Sequence, residues 1–433
     1  MKPAQTNRGD VAWSKLVMSN STLRLRPGRL IHCLVVLVLV NGFNIQLASQ
    51  IVSYPRSQPV PPDYFSMNIL FHPLNKVPWP AVPFGGWRTS HTNWAEIQLT
   101  KDHWYFDLLD KYVNWSQLHH TEILMPLTYT PRWASSTPDA PTDVEAGNPP
   151  GLSGPPRDMG DWRIFVRTVA TRYKGRIHNW EIWNEPNRPQ SWTGSVQTMV
   201  EMTREASQIL REIDPDNRIV APAPEETKGL GFLEEFLKEG GGQYVDMIGY
   251  HFYVGPDDGP EAMVQLIDKV EAIMARYGQS DKPLWNTEAG WLGPKLLPQD
   301  LQAAYVARAY ILNWAAGVDR FYWFAWENHN GTQIVLTESD NATLTPAGKA
   351  FATIQVWMTG SSVTRCASKS GDTWICDLRN QSGQSHIVWN TKGNKIFAPP
   401  GEWHANYAER LDDNRSAIQG KSITVGVQPV LIQ

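Results

Sequence analysis

The chain has 433 residues, 42% of them hydrophobic and 19% charged, with a formal net charge of −4. That is enough apolar material for a sizeable core and excludes a disordered or fibrous chain. Residues 1–29 hold six basic side chains (Lys2, Arg8, Lys15, Arg24, Arg26 and Arg29) against Asp10, so without them the net charge is −9. A chain that acidic is a poor partner for a polyanion, and nucleic-acid binding is excluded.

The largely apolar run Leu30–Val40 follows, and no Lys, Arg, Asp or Glu falls between residues 30 and 49. It is shorter than the roughly 20 residues of a membrane span but suits the core of a signal peptide. Leu47-Ala48-Ser49 offers a small-residue cleavage site, and a start at Met18 would shorten the basic segment. Residues 1–49 therefore read as a signal peptide, with a retained membrane anchor as the alternative. The chain is expected to be exported (extracellular, periplasmic or cell-envelope), with membrane association only if the anchor is kept. Residues 50–62 are Pro- and Ser-rich and read as a linker.

From residue 63 to 355 the chain alternates short apolar or aromatic runs with amphipathic stretches. The runs are Phe65–Phe71, Phe84–Arg88, Glu122–Thr128, His178–Asn184, Arg218–Ala223, Val245–Phe252, Pro283–Glu288 and Arg320–Trp326. Helical periodicity fills Lys101–Leu118, Asp158–Tyr173, Ser195–Ile213, Gly259–Tyr277 and Gln299–Ala316, and more weakly Leu230–Glu239; hardly any helix follows the first run. Eight strands alternating with helices give an α/β fold, a (β/α)8 TIM barrel. An open doubly wound sheet is the alternative, but no GxGxxG or GxxxxGK[ST] follows the first strand. After the helix Pro346–Met358, residues 356–433 break into short runs between turn residues and read as a small all-β, sandwich-like C-terminal domain. Cys33 lies in the export segment, and Cys366 and Cys376 flank a hairpin turn at Ser370-Gly371-Asp372, so this pair is expected to form a disulfide across two strands.

Reactive groups in such a barrel come from the C-terminal ends of strands. Glu185 stands just past the fourth run, in Asn184-Glu185-Pro186, and Glu288 ends the seventh; they are 103 residues apart yet able to face one mouth. Two carboxylates flanking one bond are what glycosidic cleavage needs. Aromatic residues gather at these ends, and the 20 Trp of the chain exceed what a core requires, with Trp133 and Trp326 the best placed to stack on sugar. Glu181, in mid-strand, reads as a structural carboxylate in need of a partner such as Arg88, whereas Glu225-Glu226 after the fifth run sits near the mouth. His119-His120 lies at the opposite face, and no HxH or H-E-x-x-H occurs, so neither metal nor organic cofactor is expected.

These residues resemble the retaining glycoside hydrolases of clan A, and especially family 39 with its bacterial exopolysaccharide-hydrolase relatives. The resemblance rests on Gly86-Trp87-Arg88, Leu127 to Trp133, Trp180 to Asn187, Asp246 to Tyr253 and Trp285 to Trp291, in the expected order across the barrel. It implies Glu185 as acid/base and Glu288 as nucleophile. It further implies Asn184 on the sugar 2-hydroxyl, Arg88 beside the nucleophile, and His251 and Tyr253 near the nucleophile and sugar. The expected protein is a monomer that hydrolyses a carbohydrate with retention, its carboxyls about 5–5.5 Å apart and Glu185 protonated at the start. A catalytically inactive binding or assembly protein on the same barrel is the alternative. Xyloside, mannan-type and mixed exopolysaccharide substrates stay open, since loop 134–157 maps to no particular sugar.

Overall fold

The structure, a computed structural model, describes residues 51–433 apart from 53–55, 57, 71–76, 143–148, 329–330, 370–371 and 419–420. The export segment 1–49, Phe71 and the turn residues Ser370 and Gly371 lie outside the described residues.

Eight parallel strands form the barrel: β1 (Phe65–Ile69), β2 (Gly86–Thr89), β3 (Glu122–Leu127), β4 (Asn179–Ile182), β5 (Arg218–Val220), β6 (Ile248–Tyr250), β7 (Leu284–Ala289) and β8 (Val318–Trp323). They pair in the order β5-β4-β3-β2-β1-β8-β7-β6. The ring is closed by a parallel bridge between Val220 and Met247, with the Ala221 N–H donating to the Met247 carbonyl at 2.9 Å. Because helices cover one face and the barrel fills the other, these strands read as continuous apolar runs rather than alternating ones. Leu124 of β3, Val220 of β5, Met247 just before β6, Trp285 of β7 and Tyr322 of β8 form a buried cluster of their own inside the ring. Below it the strand starts carry charge: Arg320 pairs with Asp63 and with Glu122 (2.6 Å) and lies 4.6 Å from the Trp285 ring, and Arg218 meets the other Glu122 oxygen at 3.0 Å.

The outer layer is α1 (Asp107–His119), α2 (Met159–Arg172), α3 (Val196–Ile213), α4 (Leu230–Lys238), α5 (Glu261–Arg276), α6 (Gln299–Ala315) and α7 (Pro346–Met358). Side chains of Asp158, Ser195 and Thr345 cap α2, α3 and α7 by accepting backbone N–H bonds. The helix expected from Lys101 begins only at Asp107. Residues 98–104 instead form a two-stranded turn, Gln98 pairing with Trp104 and Thr100 with His103, after a capping box of Asn93 and Glu96 starts the short helix Trp94–Ile97.

The C-terminal residues form β9 (Ser362–Lys369), β10 (Thr373–Asn380), β11 (Gly383–Asn390), β12 (Lys395–Phe397), β13 (Tyr407–Arg410), β14 (Arg415–Ala417), β15 (Ile423–Val425) and β16 (Val430–Ile432). One seven-stranded antiparallel sheet contains all but β12 and β15, which pair as a ribbon; its first strand is Ile51–Val52, from the segment read as linker, antiparallel to β9. Val425 of the ribbon is buried with Val388, Ala408, Val430 and Ile432 of the sheet, giving two layers of unequal size. Cys366 and Cys376 are opposite one another in the β9–β10 register and form the disulfide. The sheet is tied to the barrel helices by Trp357 to Glu409 and Trp389 to Glu261, at 2.7 and 2.9 Å. Among the described residues no helix is long and apolar enough to cross a membrane.

Phe351 of α7 is fully buried and meets Phe65 of β1 and Tyr310 of α6 edge-on, at 6.1 and 5.3 Å between ring centroids. Phe351→Ala is expected to cost about 3–5 kcal/mol through lost contact and residual cavity. Urea unfolding should show a lower midpoint with an unchanged slope; a loss under 1 kcal/mol would mean that α7 is not keyed to the barrel here.

Candidate active site

β4 ends at Ile182 because Trp183 enters the left-handed region (φ 69°), as does Glu185 (φ 47°) two residues later. Neighbouring strands hold both in place: the Trp183 N–H donates to the Leu127 carbonyl (3.2 Å), its indole to the Ser191 carbonyl (2.9 Å), and the Glu185 N–H to the Ala223 carbonyl (2.9 Å). Tyr129 (φ 61°) after β3 and Glu226 (φ 53°) after β5 share the same strained backbone. Each such residue costs on the order of 1–3 kcal/mol, and four at the strand ends of one barrel face mark a working site. On β7 the register with β8 slips, three residues from Asn286 to Ala289 spanning two from Phe321 to Trp323; this bulge falls at Glu288 and re-aims it.

Arg88, at the end of β2, organises the centre. Its Nε donates to Glu181 Oε2 (2.6 Å), Nη1 to Glu288 Oε2 (2.8 Å) and Nη2 to Asn184 Oδ1 (2.7 Å). Burial works against its charge, but Glu181 and Glu288 hold it above the ordinary guanidinium value. The second Glu288 oxygen accepts from the Tyr253 hydroxyl at 2.8 Å, and the Asn184 amide donates to the Tyr129 hydroxyl at 2.9 Å. On the other side, Glu185 Oε1 lies 3.0 Å from His251 Nδ1, and Glu185 Oε2 accepts from Arg188 Nη1, also at 3.0 Å. Arg188 Nε approaches Glu225 Oε1 at 3.4 Å, and Asn187 Oδ1 accepts the Glu225 N–H at 2.9 Å.

Protons are distributed unevenly over this cluster. Burial disfavours a charged Glu185, yet the hydrogen bond and charge of His251, helped by Arg188, outweigh it and hold its carboxyl well below the usual range. Glu225 is pushed up to about 8, first by burial and then by the negative charge of Glu185. His251 is raised: burial opposes its charge, but Glu288 and Glu185 prevail. In the free protein His251 and Arg188 thus oppose the expected protonation of Glu185. The two carboxyls titrate as a pair, Glu185 drawn down and Glu225 drawn up, so a proton kept at this end of the site belongs to the pair.

The structure brings Glu185, Glu288, Asn184, Arg88, His251 and Tyr253 together. Of the two tryptophans expected beside them, only Trp133 keeps part of its ring exposed. Trp326 is fully buried, its ring covered and its Nε1 without a partner among the described residues. Trp133 is half-buried, donating to the Gln98 carbonyl (3.0 Å) and set edge-on to Trp94. Trp374 and Trp389 of the C-terminal sheet are buried in parallel stacking at 5.6 Å, and Trp403 lies 3.6 Å over His386. Tyr129 and Arg188 were missed as site residues, although Arg188 is signalled by its position three residues after Glu185, one helical turn's reach. Glu181 finds the partner expected of it in Arg88. Glu185, His251 and Glu288 each offer one atom within 4.8 Å of the others, a spacing that would suit a metal ion. All four of their carboxylate oxygens, however, already face Arg88, Arg188, Tyr253 or His251.

Arg88→Met should leave the Glu181 carboxylate buried and unpaired, lowering stability by about 3–5 kcal/mol in urea unfolding. Arg88→Lys should recover part of this, since one ammonium reaches Glu181 but not three partners at once. Equal stability of both variants and the wild type would show that Glu181 does not depend on the guanidinium.

Residues 162–351 match the family model described as glycosyl hydrolase catalytic core. No curated protein matches the sequence. Among solved structures, the fold is similar to a family 39 glycoside hydrolase from Bacteroides cellulosilyticus (16% identity, 86% of this chain and 80% of that one covered, TM-score 0.67). It is also similar to a glucosidase from Croceicoccus marinus (16% identity, 88% and 97% covered, TM-score 0.60) and to a family 39 β-xylosidase from Caulobacter crescentus (14% identity, 87% and 97% covered, TM-score 0.61). Residues 162–351 are thus similar to a glycosyl hydrolase catalytic core and lie on a TIM barrel of the fold seen in those enzymes, which supports glycosidase activity.

Proposed function

We propose that the protein is a retaining β-glycoside hydrolase that cleaves a polysaccharide or oligosaccharide by double displacement, with Glu288 as nucleophile and Glu185 as acid/base. The observation that carries this is the pair itself: oxygens of Glu185 and Glu288 come within 4.8 Å at one barrel mouth. That separation suits direct attack by a carboxylate better than the wider gap, about 6.5–9.5 Å, that an inverting enzyme keeps for a water. In the first step the Glu288 carboxylate bonds to the anomeric carbon while the glycosidic oxygen takes a proton from Glu185 and departs as an alcohol. In the second, Glu185 removes a proton from water, the hydroxyl bonds to the anomeric carbon, and the Glu288 carboxylate is released.

The remaining groups fit parts of that cycle. Arg88 and Tyr253 occupy the outer lone pairs of Glu288 and fix its direction. Asn184, held by Arg88 and Tyr129, is placed for the sugar 2-hydroxyl, a contact that strengthens as positive charge develops on the ring. The domain reading (catalytic barrel 63–355, β domain 356–433) and a monomeric state belong to the same proposal. So does export, which the disulfide and the N-terminal sequence support.

A panel of aryl β-glycosides and β-linked polysaccharides, with the product anomer followed by NMR, tests the reading. Wild-type turnover with retention is expected. Glu185→Gln should lower it by about 10²–10⁴-fold, the usual worth of a general acid, and Glu288→Gln by at least as much. With azide, Glu185→Ala should give a glycosyl azide of retained configuration and Glu288→Ala one of inverted configuration. Inverted hydrolysis by the wild type would remove Glu288 as nucleophile, and saccharide binding without turnover would favour an inactive binding protein.

A further inference from the structure

The mouth holds a third carboxylate that double displacement does not call for. Glu225 follows β5, its N–H accepted by Asn187 Oδ1, and a parallel bridge sets it beside His251. Its carboxyl meets the same guanidinium as that of Glu185. Arg188 spans the two, 3.0 Å from Glu185 Oε2 and 3.4 Å from Glu225 Oε1. Two carboxylates brought together on one guanidinium repel each other, so such a pair retains one proton to higher pH than either residue alone.

We propose that Glu225 is a positioning residue that stores the acid proton for Glu185, so that a carboxyl pair bridged by Arg188, rather than a single side chain, supplies the acid of the first step. This rests on the reading of Glu185 as acid/base. The transfer balances: the O–H bond of Glu225 breaks as that of Glu185 forms, and the charge left on Glu225 faces Arg188, which already touches it. After Glu185 has given the proton to the leaving oxygen, it takes one from the incoming water and returns it to Glu225.

The surroundings agree with the direction of storage. Glu185 faces the cations Arg188 and His251, while Glu225 is half-buried with Glu185 and Arg188 as its nearest charges. The Tyr250 hydroxyl is neighboured by Glu225 and Glu226, Tyr129 by Glu185 and Arg88, and Tyr253 by Glu288 with both Glu185 and Glu225; burial keeps all three phenols protonated. Glu288 and Arg88 act on His251, the partner of Glu185, in opposite directions.

Two measurements on the full chain decide it. With glutamate ¹³C-labelled at the side-chain carboxyl, the wild type should show one carboxyl titrating near pH 8, and Glu225→Gln should lack it. The same set of titrating carboxyls in both proteins would overturn the proposal without any substrate. The second is the pH profile of kcat/KM for 4-nitrophenyl and 2,4-dinitrophenyl β-xylosides. In Glu225→Gln, Glu185 must bind the proton unaided against His251 and Arg188, so the alkaline limb should move at least one unit to lower pH. The 4-nitrophenyl substrate should slow more than tenfold and the 2,4-dinitrophenyl substrate, which needs little acid help, less than about twofold. Glu225→Asp should restore much of the profile. An unmoved limb, or equal losses on both substrates, would reduce Glu225 to a structural role. If instead Glu185→Gln slows both substrates equally, the assignment of Glu185 fails, whatever the titration of Glu225 shows.

Discussion

Four carboxyl groups, Glu181, Glu185, Glu225 and Glu288, converge on one barrel mouth, and the structure there depends on how that negative charge is divided. The buried contact of Arg88 with Glu181, 2.6 Å between two nearly inaccessible side chains, is its fixed point. Neither group could stay inside alone, because an unpaired buried ion costs several kcal/mol. Once anchored on Glu181, the planar guanidinium has two further N–H edges in set directions, and these meet Glu288 and Asn184. The residue at the end of β2 thereby fixes side chains at the ends of β4 and β7, which no local property of those strands could do. Lysine, a point charge on a flexible stem, would not transmit orientation in this way.

The C-terminal sheet acts on the same half of the barrel. Its Trp389 indole donates to Glu261 at the first turn of α5, and Glu261 in turn pairs with Arg308 of α6. α5 and α6 follow β6 and β7, the strands that lead to His251, Tyr253 and Glu288. α7, after β8, carries Trp357 to Glu409 on β13. With Ile51–Val52 also paired to β9, chain on both sides of the barrel joins one sheet. Trp374 and Trp389 are spent on packing and docking, which leaves them no open ring face for a sugar.

What the sequence made legible follows from which interactions are local. A parallel strand buried on both faces must be an unbroken apolar run, so all eight strands could be found, and α7 has the bounds expected of it, Pro346–Met358. The runs overshot at their ends: His178–Asn184 narrows to Asn179–Ile182, because left-handed backbone at Trp183 ends the pairing, and an aromatic residue carries no signal of that. The helix expected from Lys101 starts six residues late, at Asp107, because Trp104 and Leu108 fall at helical spacing although Trp104 still belongs to the 98–104 turn. Tryptophan misled for a different reason. A sugar platform and a core both require a flat apolar surface, and composition cannot separate them; Trp326 fell to the core. The pairing of Glu225 with Glu185 was illegible because it is made by two loops from adjacent strands, joined through Arg188, with no periodicity to announce it. The disulfide was legible because a hairpin brings Cys366 opposite Cys376 by counting alone.

The two central carboxylates, alike in sequence, are set apart by the donors around them. Glu288 has each oxygen held by a fixed donor, Arg88 on one and Tyr253 on the other, both attached to other strands; its remaining lone pairs have a defined direction, which is what attack along one line requires. Glu185 is held instead by groups that respond to protons. His251 is raised by Glu288 and Glu185 against its burial, and Glu225 is pushed up to about 8, first by burial and then by the charge of Glu185. A rigid acceptor on one side and a proton-exchanging cluster on the other is the division of labour that two carboxylates need if one is to bond to carbon and the other to move hydrogen. The barrel achieves it with no difference between the two glutamates except the strand ends on which they stand.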